Sequence, residues 1–166
     1  MGAGKTSVGI KLAEALGKTF IDSDREVEKK TGATIPLIFE LEGEEGFRAR
    51  EREVIDELTQ EKNIVLATGG GSILDERNRK FMKERGYVIY LQAPLEQLLE
   101  RTSKDKNRPL LQTEDPRKTL GDIIKNREPL YLETANLVYK TSNKQIRDVI
   151  SSLLTILEKT RDKKTA

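Results

Sequence analysis

Short apolar runs alternate with longer amphipathic segments along this chain, and the two patterns predict strands and helices respectively. The apolar runs include TFID at 19–22 and NIVLAT at 63–68, and two more lie at 87–91 and 137–140. Strands that alternate with helices favour parallel pairing with right-handed crossovers, so we predict an α/β fold with a parallel sheet. Apolar residues at helical spacing, together with start and stop signals, predict helices at 5–16, 25–31, 35–41, 44–60, 76–85, 94–102, 116–127, 129–135 and 143–159.

Two of these helices show which side should face the core. In the first, the apolar face holds Val8, Leu12, Ala15 and Leu16, and in the helix at 44–60 it holds Phe47, Val54, Ile55 and Leu58. The segment 103–115 is polar, contains Pro109 and is followed directly by Pro116, so we predict a mobile loop there. Residues 160–166 are predicted to form a solvated tail.

Length and composition narrow the class of protein. The chain has 166 residues, which suits a single domain over residues 1–166, and its formal net charge of +2 gives no reason to expect a nucleic-acid or membrane surface. It contains no cysteine and no histidine, so disulfides and imidazole metal sites are excluded and we expect any general base to be a carboxylate. No apolar run approaches the ~20 residues of a membrane span, and no signal-peptide pattern is present, so we expect a cytoplasmic protein.

The segment GAGKTS at 2–7 matches the end of the phosphate-loop pattern G-x-x-x-x-G-K-[ST]. Gly4, Lys5 and Thr6 supply its last three positions, and the first glycine of the pattern would lie before Met1. In such a loop, backbone N–H groups and the helix N-terminus bind phosphate, the lysine reaches the β- and γ-phosphates, and the hydroxyl binds Mg²⁺. The alternative is an ordinary glycine-rich turn before a helix.

The segment FIDSD places two carboxylates, Asp22 and Asp24, just beyond a predicted strand. At this spacing both can face one site, where one would hold Mg²⁺ through water and the other would accept a hydroxyl proton. Aspartate is also common in turns and at helix N-caps, so Asp24 can equally be the cap of the following helix.

Three successive glycines, Gly69 to Gly71, follow the strand at 63–68 and indicate a close approach of the backbone to a ligand. Arg48, Arg108 and Arg127 lie in the segments GEEGFR, NRPLL and REPLY. Each of these arginines, taken alone, is more simply an exposed surface charge.

Taken in order, GAGKTS, FIDSD, GEEGFR, TGGGSI, NRPLL and REPLY resemble the signatures of the shikimate kinase family, from residue 2 to residue 131. The resemblance implies a three-layer P-loop kinase fold. It also implies transfer of the ATP γ-phosphoryl group to the 3-hydroxyl of shikimate, in aromatic amino-acid biosynthesis. Shikimate and ATP are then the partners of a monomeric enzyme with Mg²⁺ as its cofactor, and neither nucleic acid nor a membrane is a partner.

The resemblance also implies a role for each site residue. Lys5, Asp24 and Arg108 are the catalytic residues, and Arg108 lies on a lid at about 103–115. Thr6 binds the metal directly, and Asp22 supports it through water. Helices at about 25–60 bind the substrate, which Asp24, Arg48, Gly70 and Arg127 contact. ATP contacts Gly2, Ala3, Gly4, Lys5, Thr6, Ser7, Arg108 and Lys144, with Arg101 also near the adenine.

The family has an apolar strand and a G-x pair before MGAGK, and neither is present in this sequence. In the family fold that strand lies near the middle of the sheet. We therefore expect open ladder groups on its two neighbours, and we expect that Met1 is an internal residue of a longer natural chain.

Two other functions remain open at this point. One is another small-molecule kinase of the same fold, such as a gluconate kinase-like enzyme, against which the glycine triplet, Arg48 and Arg127 argue. The other is an ATP-binding module without catalysis, inactive through N-terminal truncation.

Overall fold

The computed structural model describes residues 2–103, 115–142 and 144–165. Strands and helices alternate along these ranges, as the sequence pattern predicts. In chain order they are α1 (Lys5–Leu16), β1 (Thr19–Asp22), α2 (Ser23–Thr31), α3 (Ile35–Leu58), β2 (Ile64–Ala67), a 3₁₀ turn (Ser72–Leu74), α4 (Glu76–Arg85), β3 (Ile89–Gln92), α5 (Leu95–Ser103), α6 (Pro116–Thr134), β4 (Leu137–Lys140) and α7 (Ile146–Thr165).

The strands pair in parallel, as predicted, but within the described residues they form two separate pairs. β1 pairs with β2, with Asp22 opposite Ala67, and β3 pairs with β4, with Gln92 opposite Lys140. A groove of about 610 Å³ lies between the facing edges of β2 and β3, and apolar side chains of α1 and α7 form part of its wall. This division agrees with the expectation that the neighbours of a central strand have open edges.

Helices cover both faces of the strands, which gives three layers. On one face, Val8 and Leu12 of α1 pack with Val149 and Leu153 of α7 against β3 and β4. On the other face, α2 and α3 enclose a second core that includes Ile21 of β1 and Leu66 of β2. None of the helices in the described ranges is long and apolar enough to cross a membrane.

The helix α3 joins two segments that the sequence predicts separately. They meet at Gly43, where φ is 71° and the backbone leaves the helical conformation, which a glycine adopts at little cost. The predicted core face of the second segment is confirmed, because Phe47, Val54, Ile55 and Leu58 are all buried.

Three expectations about helices are wrong. Residues 116–134 form one helix that continues through Pro129, and the burial of Leu120 and Thr134 anchors it on both sides of the proline. The predicted tail is helical as far as Thr165, although Arg161 and Asp162 in it are exposed, as expected for a solvated segment. In α1, Val8 and Leu12 are buried as predicted, but Ala15 and Leu16 are exposed, and Leu16 borders the groove between the strand pairs.

Candidate active site

The phosphate loop has the backbone geometry that its glycines predict. Gly2 and Gly4 have φ values of 68° and 83°, in the left-handed region that favours glycine. A Cβ atom on Gly2 would lie 3.2 Å from Thr102 Cγ2 and 3.3 Å from the Leu98 carbonyl, so the loop also packs closely on α5. Gly4 is the N-cap of α1, and therefore the loop presents the positive end of this helix, where anions bind.

Two basic residues assigned to the nucleotide differ in their relation to this loop. The Arg101 Nη1 donates to the Gly2 carbonyl over 3.1 Å, which holds Arg101 against the loop. Lys144 is exposed beyond β4, where its Nζ donates to the Tyr139 hydroxyl over 3.3 Å and lies 4.9 Å from the centre of the Tyr139 ring. The role of Lys144 in binding ATP stays a prediction.

Asp22, at the carboxyl end of β1, links the phosphate loop to α2. Its Oδ2 accepts a hydrogen bond from Thr6 Oγ1 over 3.3 Å, and its Oδ1 accepts from the Asp24 backbone N–H over 3.0 Å. Asp22 is therefore the N-cap of α2, and the alternative that Asp24 is the cap is wrong, because the helix begins at Ser23. This leaves the Asp24 side chain available for another purpose.

The carboxyl group of Asp24 lies in an environment that opposes its ionisation. Burial raises the pKa of Asp24 to about 6, and the negative charges of Asp22 and Glu51 add to the rise, while Lys5 and Arg48 act in the opposite direction. A Cβ atom on Gly69 would lie 2.7 Å from Asp24 Oδ1, so this carboxyl group lies directly against the glycine turn. An aspartate with a pKa near 6 is ionised at neutral pH and is a stronger base than an ordinary aspartate.

The glycine turn, residues 69–71, is held by contacts from three elements. The Gly69 N–H donates to Ser23 Oγ over 3.1 Å, and the Ser72 N–H donates to the Gly69 carbonyl over 3.2 Å. The Tyr131 hydroxyl of α6 donates to the Gly70 carbonyl over 2.6 Å. The turn is therefore fixed although it consists of three glycines.

Arg48 lies against this turn and is held by acidic residues of its own helix. Its Nη1 donates to Glu51 Oε2 over 2.7 Å and its Nη2 donates to Glu44 Oε1 over 3.1 Å. Burial lowers the pKa of Arg48, but the hydrogen bonds and charges of Glu51 and Glu44 outweigh it, so the pKa stays above its ordinary value. The guanidinium group is a fixed cation.

Glu51 is a site residue that the sequence does not reveal. Its side chain is 1% exposed, and besides Arg48 it accepts a hydrogen bond from Ser72 Oγ over 2.6 Å. Glu51 therefore connects Arg48 to the end of the glycine turn. In the sequence it stands among many charged residues, and its spacing of three from Arg48 is the single signal that could have found it.

Arg127 reaches the same region from α6. It lines a cavity of about 420 Å³ together with Ala3 and Lys5 of the phosphate loop and with Gly69 and Gly70. The structure thus brings Asp24, Arg48, Arg127 and the glycine turn close to the phosphate loop. Arg108 and most of the predicted lid lie outside the described residues.

The parallel α/β layers, the glycine loop at a helix N-terminus and the cluster of acidic and basic residues beside it define a P-loop phosphotransferase. The chain belongs to the shikimate kinase family, since the sequence model described as "Shikimate kinase" matches residues 1–158. It is accordingly an ATP-dependent phosphotransferase.

Individual relatives agree with this assignment. The chain is 55% identical over 157 residues to a shikimate kinase of Acinetobacter baumannii, covering 95% of this chain and 87% of that protein. A solved structure of the shikimate kinase from Acinetobacter baumannii in complex with shikimate matches with a TM-score of 0.93 at 54% identity, covering 96% of this chain and 89% of that one. The shikimate kinase from Aquifex aeolicus matches with a TM-score of 0.85 at 36% identity, covering 97% and 94%.

Proposed function

We propose that this protein transfers the γ-phosphoryl group of ATP to the 3-hydroxyl of shikimate and releases shikimate 3-phosphate, a step of aromatic amino-acid biosynthesis. The observation that carries the proposal is the grouping of Asp24, Arg48 and the glycine turn at the carboxyl ends of β1 and β2. In parallel sheets, ligands collect at this edge. A carboxylate-bearing polyol is the kind of substrate that these groups fit.

On the nucleotide side, residues 2–7 surround the phosphates of ATP. The backbone N–H groups and the N-terminus of α1 attract the phosphate oxygens, and Lys5 compensates the charge on the transferred group. We assign Arg101, which contacts the loop through the Gly2 carbonyl, to the adenine side of the ATP site. Lys144 is assigned to the same side of that site. Arg108, outside the described residues, is assigned to the lid and to the stabilisation of charge during transfer.

Thr6 and Asp22 fit a magnesium ion. Their hydroxyl and carboxylate oxygens are neighbours, and Mg²⁺ in kinase sites takes few protein oxygens together with phosphate oxygens and waters. When bound, the ion neutralises charge on the β- and γ-phosphates. Thr6 would be a direct ligand and Asp22 would act through water.

On the substrate side, Arg48 and Arg127 bind the carboxylate of shikimate. Arginine offers a planar set of donors that matches a carboxylate, and Glu51 and Glu44 keep the Arg48 group in place. Gly70 contacts the substrate through its backbone. Asp24 accepts the hydrogen bond of the reacting hydroxyl and takes its proton, because its pKa of about 6 leaves it ionised at neutral pH.

The family resemblance also leads us to propose a monomer that works in the cytoplasm. Sedimentation of the purified chain with and without its substrates tests the monomer.

The reaction itself is tested by ADP release from Mg²⁺-ATP with shikimate, with gluconate, and with no acceptor. We expect release with shikimate and background release in the other two reactions. Release with gluconate would favour the other small-molecule kinase. ATP binding without acceptor-dependent release would favour a binding module.

A further inference from the structure

We propose that Tyr131 is a positioning residue for the substrate: its hydroxyl fixes the Gly70 peptide, and through it the backbone groups that the glycine turn offers to shikimate. The inference rests on the proposed function, because it takes Gly70 as a substrate contact. Tyr131 is absent from the residues that the sequence singles out, although it ends the segment REPLY.

The Tyr131 hydroxyl is held in one place. It donates to the Gly70 carbonyl over 2.6 Å, at the short end of the range for O–H···O hydrogen bonds. Its ring stacks on the ring of Tyr90 in β3, with centroids 4.8 Å apart and an interplanar angle of 20°. Because the stack fixes the ring, the hydroxyl cannot follow Gly70 if that peptide rotates.

The Gly70 carbonyl needs such a partner. Gly69 is anchored at its N–H by Ser23 and at its carbonyl by the Ser72 N–H. The Gly71 carbonyl accepts a hydrogen bond from the Leu74 N–H. Gly70 lies between these anchors, and as a glycine it has the widest choice of backbone angles. Tyr131 is the side chain that restrains the Gly70 carbonyl and with it the rotation about the Gly70 Cα–C bond.

Tyr131 also joins the turn to the second proposed carboxylate-binding arginine. Arg127 lies one helical turn earlier on α6 and interacts with the same hydroxyl. Burial raises the pKa of Tyr131, and the neighbouring charge and hydrogen bond of Arg127 act against that rise, so the hydroxyl stays protonated and able to donate. Tyr131 thus fixes the position of the glycine turn relative to α6.

The test compares Tyr131→Phe with Tyr90→Phe. Both variants keep the aromatic stack, and only the first removes the hydrogen bond to Gly70. For Tyr131→Phe we expect the KM for shikimate to rise about 3- to 10-fold, which corresponds to one lost neutral hydrogen bond, with the KM for ATP within about twofold of wild type. For Tyr90→Phe we expect both KM values to stay near wild type.

Amide hydrogen exchange, measured without substrates, gives a second readout that does not depend on the reaction. We expect faster exchange at residues 70–72 in Tyr131→Phe and unchanged exchange there in Tyr90→Phe. An unchanged KM for shikimate, or equal rises in both KM values, would overturn the positioning role. If wild type fails to phosphorylate shikimate, the proposed function fails separately, and unchanged exchange in Tyr131→Phe would still overturn the restraint on the turn.

Discussion

The guanidinium group of Arg48 occupies the space beside Gly71 that a side chain on Gly71 would need. A Cβ atom built on Gly71 would lie only 2.5 Å from Arg48 Nη1, far inside van der Waals contact. The backbone of Gly71 has φ −89° and ψ −14°, which any residue adopts. The turn geometry would therefore accept other residues at this position, but only glycine leaves room for the Arg48 guanidinium group.

We predict that Gly71→Ala displaces the Arg48 guanidinium, because the end of a side chain moves more easily than the backbone. The KM for shikimate should rise about 10-fold or more, and the melting temperature should fall, since the displaced guanidinium group leaves the buried Glu51 carboxylate without its charge partner. Gly121→Ala is the control, because a Cβ there meets its nearest neighbour, Leu95 Cδ2, at 3.9 Å. In a double-mutant cycle, Gly71→Ala should have little further effect once Arg48 is alanine. Independent, additive effects would contradict this explanation.

Arg48→Ala should weaken shikimate binding by about 1.5–3 kcal/mol, or roughly 10- to 150-fold in Kd, as expected for lost hydrogen bonds to a charged group. Titration calorimetry with shikimate measures the change. Arg50→Ala is the matched control, since Arg50 lies on the same helix and pairs with Glu42 away from the glycine turn. An unchanged affinity in Arg48→Ala would remove Arg48 from the substrate site.

Asp24→Asn should abolish shikimate-dependent turnover while ATP binding survives, because the base is lost and the phosphate loop is intact. In the wild type, kcat/KM should fall as the pH drops below about 6, where Asp24 becomes protonated. Glu40→Gln, which changes an exposed acid on α3, should leave both properties unaltered. Loss of ATP binding together with turnover would instead indicate a structural role for Asp24.

Asp24→Asn should also stabilise the protein at neutral pH. The pKa of Asp24 is raised from 3.8 to about 6 on folding, so the folded chain binds the proton more tightly than the unfolded chain. Its contribution favours folding below pH 3.8 and is lost as the pH rises through about 6. At pH 7.5, we expect Asp24→Asn to have a higher free energy of unfolding by about 1–3 kcal/mol. The difference should shrink toward pH 4 in urea titrations, and a constant difference across this range would contradict the raised pKa.

The sequence predicts most of the fold and the main members of the site, because both depend on local patterns. The phosphate loop, the strand-end acids and the glycine triplet each carry a motif, and the helix predicted at 76–85 is present as α4 with Asp75 as its N-cap. The helix α6 was predicted in two pieces because Pro129 is a local break signal, whereas tertiary packing on both sides of the proline decides the outcome.

The residues that sequence reasoning missed are those whose role arises from contacts between distant segments. Glu51 becomes important because it meets Ser72, 21 positions away, and Tyr131 because it meets Gly70, 61 positions away. Neither pairing has a local pattern. Whether Asp24 is the cap of α2 stayed open in the sequence for a different reason, because Asp22 and Asp24 lie two positions apart and either is a suitable cap.

The groove between β2 and β3 leads to the last prediction. Its facing strand edges belong to separate pairs, and apolar residues such as Val8, Leu12 and Leu153 border it. We expect an N-terminal extension with an apolar, β-branched run of about five residues to enter the groove as a parallel strand between β2 and β3. It would satisfy ladder groups on both edges and cover Leu16, which is 37% exposed. The free energy of unfolding should rise by about 0.5–1.5 kcal/mol for each ladder hydrogen bond that the added strand forms.

Hydrogen exchange at 64–67 and 89–92 locates the added strand, since its pairing should slow the exchange of amides on the facing edges. An extension of equal length with proline at alternate positions is the control, because proline cannot donate to a ladder. The added strand would end beside Ala3 and Lys5, which line the adjoining cavity, so it should also fix the phosphate loop and lower the KM for ATP. Equal exchange in the two extended chains would show that the groove does not accept a strand. A gain in stability without a change in the KM for ATP would instead show that a strand in the groove does not affect the phosphate loop.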